Sequence, residues 1–485
     1  MKDLYESLFR RVLFPAYESG LRRRKTLAHL RDYETSQWLA PEQIQQLQWE
    51  KLQRLIRHCW DHVPYYLQRW QPLGIAGPED IRGPEDYARL PDIDKPEIRA
   101  HFDQLIADNH RNGLLFKTTG GSTGEPLRFG YTRESYERRL AIMWRGYGWG
   151  GARLGQRTLY LWGTPVGAQK RKDRMYHAMF NRHMLNAFEM SEARMAEYAD
   201  TIDRYRPETI VSYVAPIMKM AEWLTANGRR IHRPMRILSA AEALHDGQRK
   251  FISEAFGCPV HNTYGCREFM LIAAECEEHK GLHVNADHLC VELGASVGGA
   301  NASADTPREI IVTDLHNYGM PLLRYVNGDL ATAGSGTCAC GRGLPLLTRV
   351  DGRKLDALRT PDGRYVPGEY IVYAFLHATG IKRYQVVQKR LDAFDISLVR
   401  DADFDPSVVD LIRRELAKVV GDSVQLDFRY ADDIPLTATG KLRAGSRPAE
   451  CWPWRRLTSR VSMLAGSSKH IGEVITSRGI GIYSI

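Results

Sequence analysis

The chain has 485 residues, with 67 Lys and Arg against 58 Asp and Glu, a formal charge of +9. Hydrophobic residues make up 43% and charged residues 26%, which excludes a disordered, a collagen-like or a disulfide-stapled chain. The length exceeds what one hydrophobic core supports, so at least two domains are expected.

No uncharged apolar run approaches the roughly 18 residues of a membrane span. The start, MKDLYESLFRR, carries Asp3 and no apolar stretch, so it does not read as a signal peptide, and the cytoplasm is the expected compartment. The positive excess is dispersed along the chain. Its one dense run, Arg22-Arg23-Arg24-Lys25, reads as a solvated helix end, and no nucleic-acid motif accompanies it. No nucleic-acid partner is expected. The eight cysteines are scattered, which argues against a disulfide framework.

Residues 1–110 read as mostly helical. The basic amphipathic start, with Leu4, Leu8 and Val12 beside Arg10 and Arg11, suits either a membrane surface or a helix packed on the domain; packing is preferred. Leu52, Leu55, Ile56 and Cys59 share one helical face, which should end at Val63-Pro64. Between about 110 and 350, short apolar runs at 157–163, 209–216, 235–242, 259–265 and 309–315 read as strands. Helical stretches at 193–205 and 243–257 lie among them. That alternation predicts an α/β domain with largely parallel sheets. Beyond Gly352-Arg353, alternation at Phe394, Ile396 and Leu398, a helical face from Val408 to Val419, and alternation at Val424, Leu426 and Phe428 predict a small α+β unit. Residues 445–485 show no clear period.

The segment Lys117-Thr-Thr-Gly-Gly-Ser-Thr-Gly-Glu-Pro126 concentrates glycines and hydroxyls, the composition of a backbone turn around phosphate. It lacks the spacing and lysine of a Walker A loop. On composition alone, a surface turn fits equally well.

The order of residues adds more. TTGGSTGEP resembles the Ser/Thr/Gly-rich signature of the adenylate-forming superfamily of acyl-CoA synthetases and adenylation domains. Four further matches follow in that family's order. Tyr264-Gly265-Cys266-Arg267-Glu268 resembles its YGxxE motif, and Ser239-Ala240-Ala241-Glu242 precedes it. Gly328-Asp329 resembles the ribose-binding pair. Gly352-Arg353 resembles the hinge, and Thr439-Gly440-Lys441-Leu442-Arg443 the TGKxxR motif. VPYY at 63–66, LPDIDKPEIR at 90–99, and the AECEEHKGLH and PLLRY segments are similar to the phenylacetate–CoA ligase branch, which includes CapK-like members.

The resemblance implies a large N-terminal multi-sheet α/β domain over 1–352 and a small mobile α+β C-terminal lid over 353–444, with the tail unassigned. It implies ATP-dependent activation of a carboxylic acid, aryl or hydrophobic, to an acyl adenylate and transfer to coenzyme A. Transfer to a carrier thiol, an amine or a polysaccharide hydroxyl, or a non-catalytic nucleotide-binding relative, stands as the alternative. Thr118, Thr119, Gly120, Gly121, Ser122, Thr123 and Gly124 would hold phosphate. Glu268 would hold Mg²⁺, Ala241 and Glu242 would line the adenine pocket, and Asp329 would bind ribose. Tyr264, which Gly265 follows, would flank the adenine, although an aromatic at a strand end is commonly core. Arg353 would contact the ribose or the hinge, and Lys441 would be the catalytic lysine. A homodimer is compatible with this reading.

Two departures from the family pattern stand out. Leu355 occupies the hinge position where relatives commonly carry an acid, and Asp356 follows it. Nothing after about 445 has a counterpart. Cys276, His283, Cys338 and Cys340 supply the donor types of a structural Zn²⁺ site. Spacing alone favours buried cysteines and a reduced turn, but the resemblance brings the two segments together. His283 is preferred to His279, which lies in the charged EEHK run and is expected to be exposed.

Overall fold

The computed structural model of the chain describes residues 4–119, 127–163, 171–187, 189–296, 303, 305–353, 358–361, 365–366, 374–375, 378, 380–401, 403–421, 423–434 and 445–446. Lys441, the phosphate-turn residues Gly120 to Gly124, and the hinge pair Leu355 and Asp356 lie outside the described residues.

The first hundred residues are helical, as their periodicity predicts. The helix Pro41–His62 starts with proline in its first turn, and Gln43 Oε1 accepts the Ala40 N–H at 3.0 Å. It buries Ile44, Leu52, Leu55, Ile56 and Cys59, and stops where Val63 turns extended ahead of Pro64. The segment after it is tied to the sheet. Ile93 donates its N–H to Arg324 O at 3.1 Å and accepts the Val326 N–H at 2.9 Å.

A short hairpin, β1 (Leu115–Thr118) and β2 (Arg128–Tyr131), precedes an eleven-stranded sheet. In chain order that sheet comprises β3 (Thr158–Trp162), β4 (Arg182–Asn186), β5 (Thr209–Tyr213), β6 (Arg236–Ala240), β7 (Val260–Cys266), β8 (Met270–Glu275), β9 (Leu282–Val284), β10 (Leu289–Ser296), β11 (Arg308–Asp314), β12 (Tyr325–Ala333) and β13 (Leu346–Arg353). In space the order is β10-β11-β12-β13-β9-β8-β7-β6-β5-β3-β4.

The expectation of a largely parallel sheet holds for one half. Strands β4, β3, β5, β6 and β7 pair in parallel. From β7 onward every pairing is antiparallel, because short turns rather than helices connect many of these strands. The run expected as strand over 209–216 also divides: Tyr213 ends β5, and Val214–Ala226 is a helix that carries Pro216 in its tolerant first turn.

Ile210, Ile237, Ala199, Ala221 and Ile252 form the centre of the parallel half's core. The helix Arg133–Trp149, capped by Thr132 Oγ1 accepting the Ser135 N–H, is held to the antiparallel half by buried ion pairs. Arg139 lies 2.8 Å from Asp314, and Arg145 lies 2.5 Å from Asp287. Removing one partner of such a pair strands a buried charge, at a cost of about 3–5 kcal/mol.

After the two-stranded pair β14 (Leu358–Arg359) and β15 (Tyr365–Val366) comes a separate four-stranded sheet. It is built from β16 (Ile381–Arg390), β17 (Ala393–Arg400), β18 (Gln425–Tyr430) and β19 (Gly445–Ser446), in the order β18-β17-β16-β19. The helix Ser407–Val420 places Ile412, Leu416 and Val420 against Phe394, Ile396 and Leu398, giving this α+β unit its own core.

Candidate active site

Ligands in open α/β sheets bind beyond the carboxyl ends of the parallel strands. Those ends here are Asn186, Trp162, Tyr213, Ala240 and the Tyr264–Cys266 segment. Strand β7 is both the last parallel strand and the first antiparallel one, so its exit turn lies where the sheet changes character.

That turn is tight. A Cβ on Gly265 would lie 1.9 Å from Met270 O, so only glycine fits against the returning strand. The turn swings Glu268 inward, to 5% exposure, where one carboxylate oxygen accepts the Tyr325 hydroxyl at 2.9 Å. It turns Arg267 outward, and its guanidinium donates to Thr118 O at 2.7 Å. The β7–β8 turn is thereby fastened to the strand that enters the phosphate-turn segment. Thr119 closes that segment's mouth: its N–H donates to Leu127 O at 2.8 Å, and its hydroxyl accepts the Leu127 N–H at 2.9 Å.

Strand β12 supplies the other wall. Tyr325, Asn327 and Asp329 alternate on its buried face. Asp329 Oδ2 accepts from the Tyr264 hydroxyl at 2.9 Å and from Asn327 Nδ2 at 3.0 Å; Asn327 Nδ2 also lies 2.7 Å from the Tyr264 oxygen. Arg353, the register partner of Asp329 on β13, holds Nε 3.6 Å from Oδ1. Burial pushes the Asp329 carboxyl above its ordinary range, opposed chiefly by Arg353. Burial, followed by the neighbouring Asp329, also raises the Tyr264 phenol, so it stays a protonated donor.

Past the end of β6, Ala241 adopts a left-handed φ of 64° and Glu242 accepts the Ala215 N–H at 2.7 Å. The parallel register of Ser239 with Asn262 sets this turn beside Tyr264. Thr118, Thr119, Glu268, Tyr264, Gly265, Asp329 and Arg353 thus occupy one connected set of contacts, with Ala241 and Glu242 at the neighbouring strand end. Sequence reasoning passed over four neighbours. Tyr325 and Asn327 were signalled by their two-residue spacing from Asp329. Arg267 lies within the motif but had no assigned role. Lys117 spreads its ammonium over the Tyr131 and Tyr136 rings, at 5.6 and 5.3 Å.

A second cluster is assembled from other parts of the same sheet. Cys276 follows β8, His283 is on β9, and Cys338 and Cys340 are in the connection from β12 to β13. Their donor atoms all lie within 4.8 Å of one another. The Cys276 and Cys338 sulfurs are 3.7 Å apart, and Cys340 Sγ is 3.3 Å from His283 Nε2. His283 Nδ1 is 3.4 Å from Leu344 O, leaving Nε2 to face the thiols. Burial lowers this imidazole to about 4, so it is neutral at neutral pH. His279 is outside the cluster, stacked on His261 and 3.3 Å from Glu275.

Residues 358–446 match the CapK C-terminal domain. Over 369 residues the chain is 26% identical to protein CapK of Staphylococcus aureus, covering 73% of this chain and 79% of that one. Over 402 residues it is 26% identical to a phenylacetate–coenzyme A ligase of Thermus thermophilus, covering 81% and 88%. The chain is a homologue of CapK and phenylacetate–CoA ligase. Among solved structures, 2-hydroxyisobutyryl-CoA ligase in the postadenylation state, in complex with R3-HIB-AMP, superposes with a TM-score of 0.67. That match has 17% sequence identity and covers 86% of this chain and 92% of the other, so the two share a fold.

Proposed function

We propose that this chain condenses a carboxylic acid with ATP to an acyl adenylate, releasing pyrophosphate, and then passes the acyl group to the thiol of coenzyme A. The observation that carries the reading is the meeting of Asp329, Tyr264 and Glu268 beside Thr118 and Thr119, beyond the parallel strands. Homology to the phenylacetate–CoA ligases supports it. The acid is aryl or hydrophobic on the same resemblance, and the cytoplasm is the compartment.

In this reading Asp329 receives the ribose hydroxyls, with Tyr264 and Asn327 fixing its carboxylate. Tyr264 flanks the base beside Ala241 and Glu242, and Arg353 braces Asp329 from the adjoining strand. Thr118, Thr119 and the Gly120–Gly124 turn donate to phosphate oxygens, whose charge grows as the carboxylate attacks the α-phosphorus. Lys441 adds a cation for that step. Glu268 has the hard oxygen donor and the fixed orientation that Mg²⁺ requires, and the ion, when bound, supplies charge neutralisation at the phosphates.

The test is exchange of labelled pyrophosphate into ATP across a panel of aryl, alkyl and hydroxy acids, with a Glu268→Gln variant beside it. An acid-dependent signal that falls by about two orders of magnitude in the variant is expected. Nucleotide binding with no exchange on any acid would overturn the reading.

A second acceptor stands beside coenzyme A: a carrier thiol, an amine or a polysaccharide hydroxyl, as the CapK-like resemblance implies. Supplying coenzyme A or a pantetheinylated carrier after adenylation separates the two.

We further propose that Cys276, His283, Cys338 and Cys340 hold one structural Zn²⁺. Three sulfurs and one imidazole nitrogen form a closed donor set of the kind zinc takes, and a backbone carbonyl at the other ring nitrogen orients the imidazole.

A further inference from the structure

We propose that the N-terminal helix is a docking surface for anionic lipid, holding the enzyme on a negatively charged membrane face without spanning it. The helix runs from Leu4 to Leu21, and Phe9–Leu13 and Ala16–Leu21 are π-helical. The wider π turn keeps residues four apart nearly in line.

One line faces the protein. Phe9 and Phe14 are fully buried against Leu154 and Phe180, with Tyr5, Leu13 and Tyr17 packed around them. The Tyr5 hydroxyl donates to Met179 O at 2.6 Å, and Gly155 brings its backbone so close to Phe9 that a Cβ would stand 2.9 Å from the ring. The helix is therefore fixed to the body along its length.

The next line faces solvent and is aliphatic. Leu4, Leu8 and Val12 are 88%, 48% and 53% exposed, and Leu21 at the helix end is 75% exposed. Scattered exposed leucines are ordinary, but three at i, i+4 and i+8 on an anchored helix form a stripe.

The charges are sorted in the same way. Both acids in the described helix turn inward: Glu6 is held by Arg153 at 2.7 Å, and Glu18 by Thr26 at 3.0 Å and Arg24 at 3.2 Å. Arg10 reaches Glu6 only at 3.8 Å, and Arg11, Arg23 and Lys25 are exposed. The outward surface thus presents aliphatic side chains among cations, with its carboxylates withdrawn and neutralised. Anionic lipid satisfies both features: headgroups take the cations, and the acyl boundary takes the stripe. A nucleic acid would answer the charge and leave the leucines in water. A symmetric contact with a second copy would bring this cationic face against itself. Because the helix is already folded and anchored, binding carries no cost for ordering it.

The experiment is co-sedimentation of the full chain with vesicles of phosphatidylcholine alone and of phosphatidylcholine mixed with phosphatidylglycerol. Binding to the mixed vesicles, weakened by added salt and absent on neutral ones, is expected. Arg11→Gln with Arg23→Gln should weaken it by roughly thirtyfold, at about one kcal/mol per basic residue removed. Leu8→Gln with Val12→Gln should abolish it, while pyrophosphate exchange in vesicle-free solution stays at the wild-type rate in both variants. Equal binding to neutral vesicles, no binding to either, binding unchanged in both variants, or a mass increase without lipid that the same variants remove would each overturn the proposal.

Discussion

Tyr264 on β7 donates its hydroxyl to Asp329 on β12 across 2.9 Å, and Asn327 closes the triangle on the same two oxygens. The two strands are not neighbours in the sheet: β8, β9 and β13 lie between them. The bond therefore spans the sheet's face.

Tyr264→Phe removes a donor from a buried carboxyl and an acceptor from Asn327. A loss of about 1–3 kcal/mol in urea unfolding is expected, together with a raised KM for ATP. Asp329→Asn should behave differently. Burial already disfavours the Asp329 charge, so stability should move by less than about 1 kcal/mol while ATP affinity falls. Equal stability losses in the two variants would show that Asp329 is a structural acid.

Lys117 gives a pH dependence. Burial, with Arg139 and then Arg267 adding to it, lowers the ammonium from 10.5 to about 8. Phosphate oxygens favour the charged form, so KM for ATP should rise as pH climbs through about 8, and Lys117→Gln should flatten that rise. The effect on folding has the opposite sense. Between about 8 and 10.5 the unfolded chain holds the proton that the folded chain has lost, so this group makes the fold more stable as pH rises through that window. Parallel pH profiles of KM and of unfolding free energy check both signs.

For the cysteine–histidine cluster, about one zinc per chain is expected by elemental analysis after chelator-free purification. Cys338→Ser and Cys340→Ser should each lose the metal and lower the unfolding midpoint. Because the donors join β8, β9 and the β12–β13 connection, a strong chelator should lower the wild-type midpoint toward that of the variants.

Lys441 should separate the two half-reactions. An ammonium aimed at the α-phosphate counts only while charge accumulates there, so Lys441→Ala should lose adenylation by about two to three orders of magnitude. Supplied with preformed acyl adenylate and coenzyme A, the variant should make thioester near the wild-type rate. Equal losses in both assays would assign Lys441 a structural role.

Local chemistry made much of this fold legible. The helix over 41–62 ends at Val63 because Pro64 disfavours helix before it, and β3, β6, β7 and β11 follow apolar runs between turn residues. The antiparallel half was harder to read. Strands such as β9, three residues long, carry too few positions for a period to show, and their pairing depends on partners far along the chain. In the site, motif order picked out Tyr264, Glu268 and Asp329. Arg267, Lys117 and Asn327 act through contacts across strands, which linear spacing records only for Asn327, two residues before Asp329.

The spacing on β12 has a consequence for how this strand tolerates change. Tyr325, Asn327 and Asp329 share the buried face across a stretch where β12 bulges against β11 and Gly328 takes a left-handed φ of 87°. Deleting a single residue between 325 and 329 would turn part of the set toward the opposite face, breaking the bond to Glu268 or those to Tyr264 in one event. Substitutions alter these side chains one at a time. A change of length here moves several of these side chains at once, a constraint that the connections between strands do not carry.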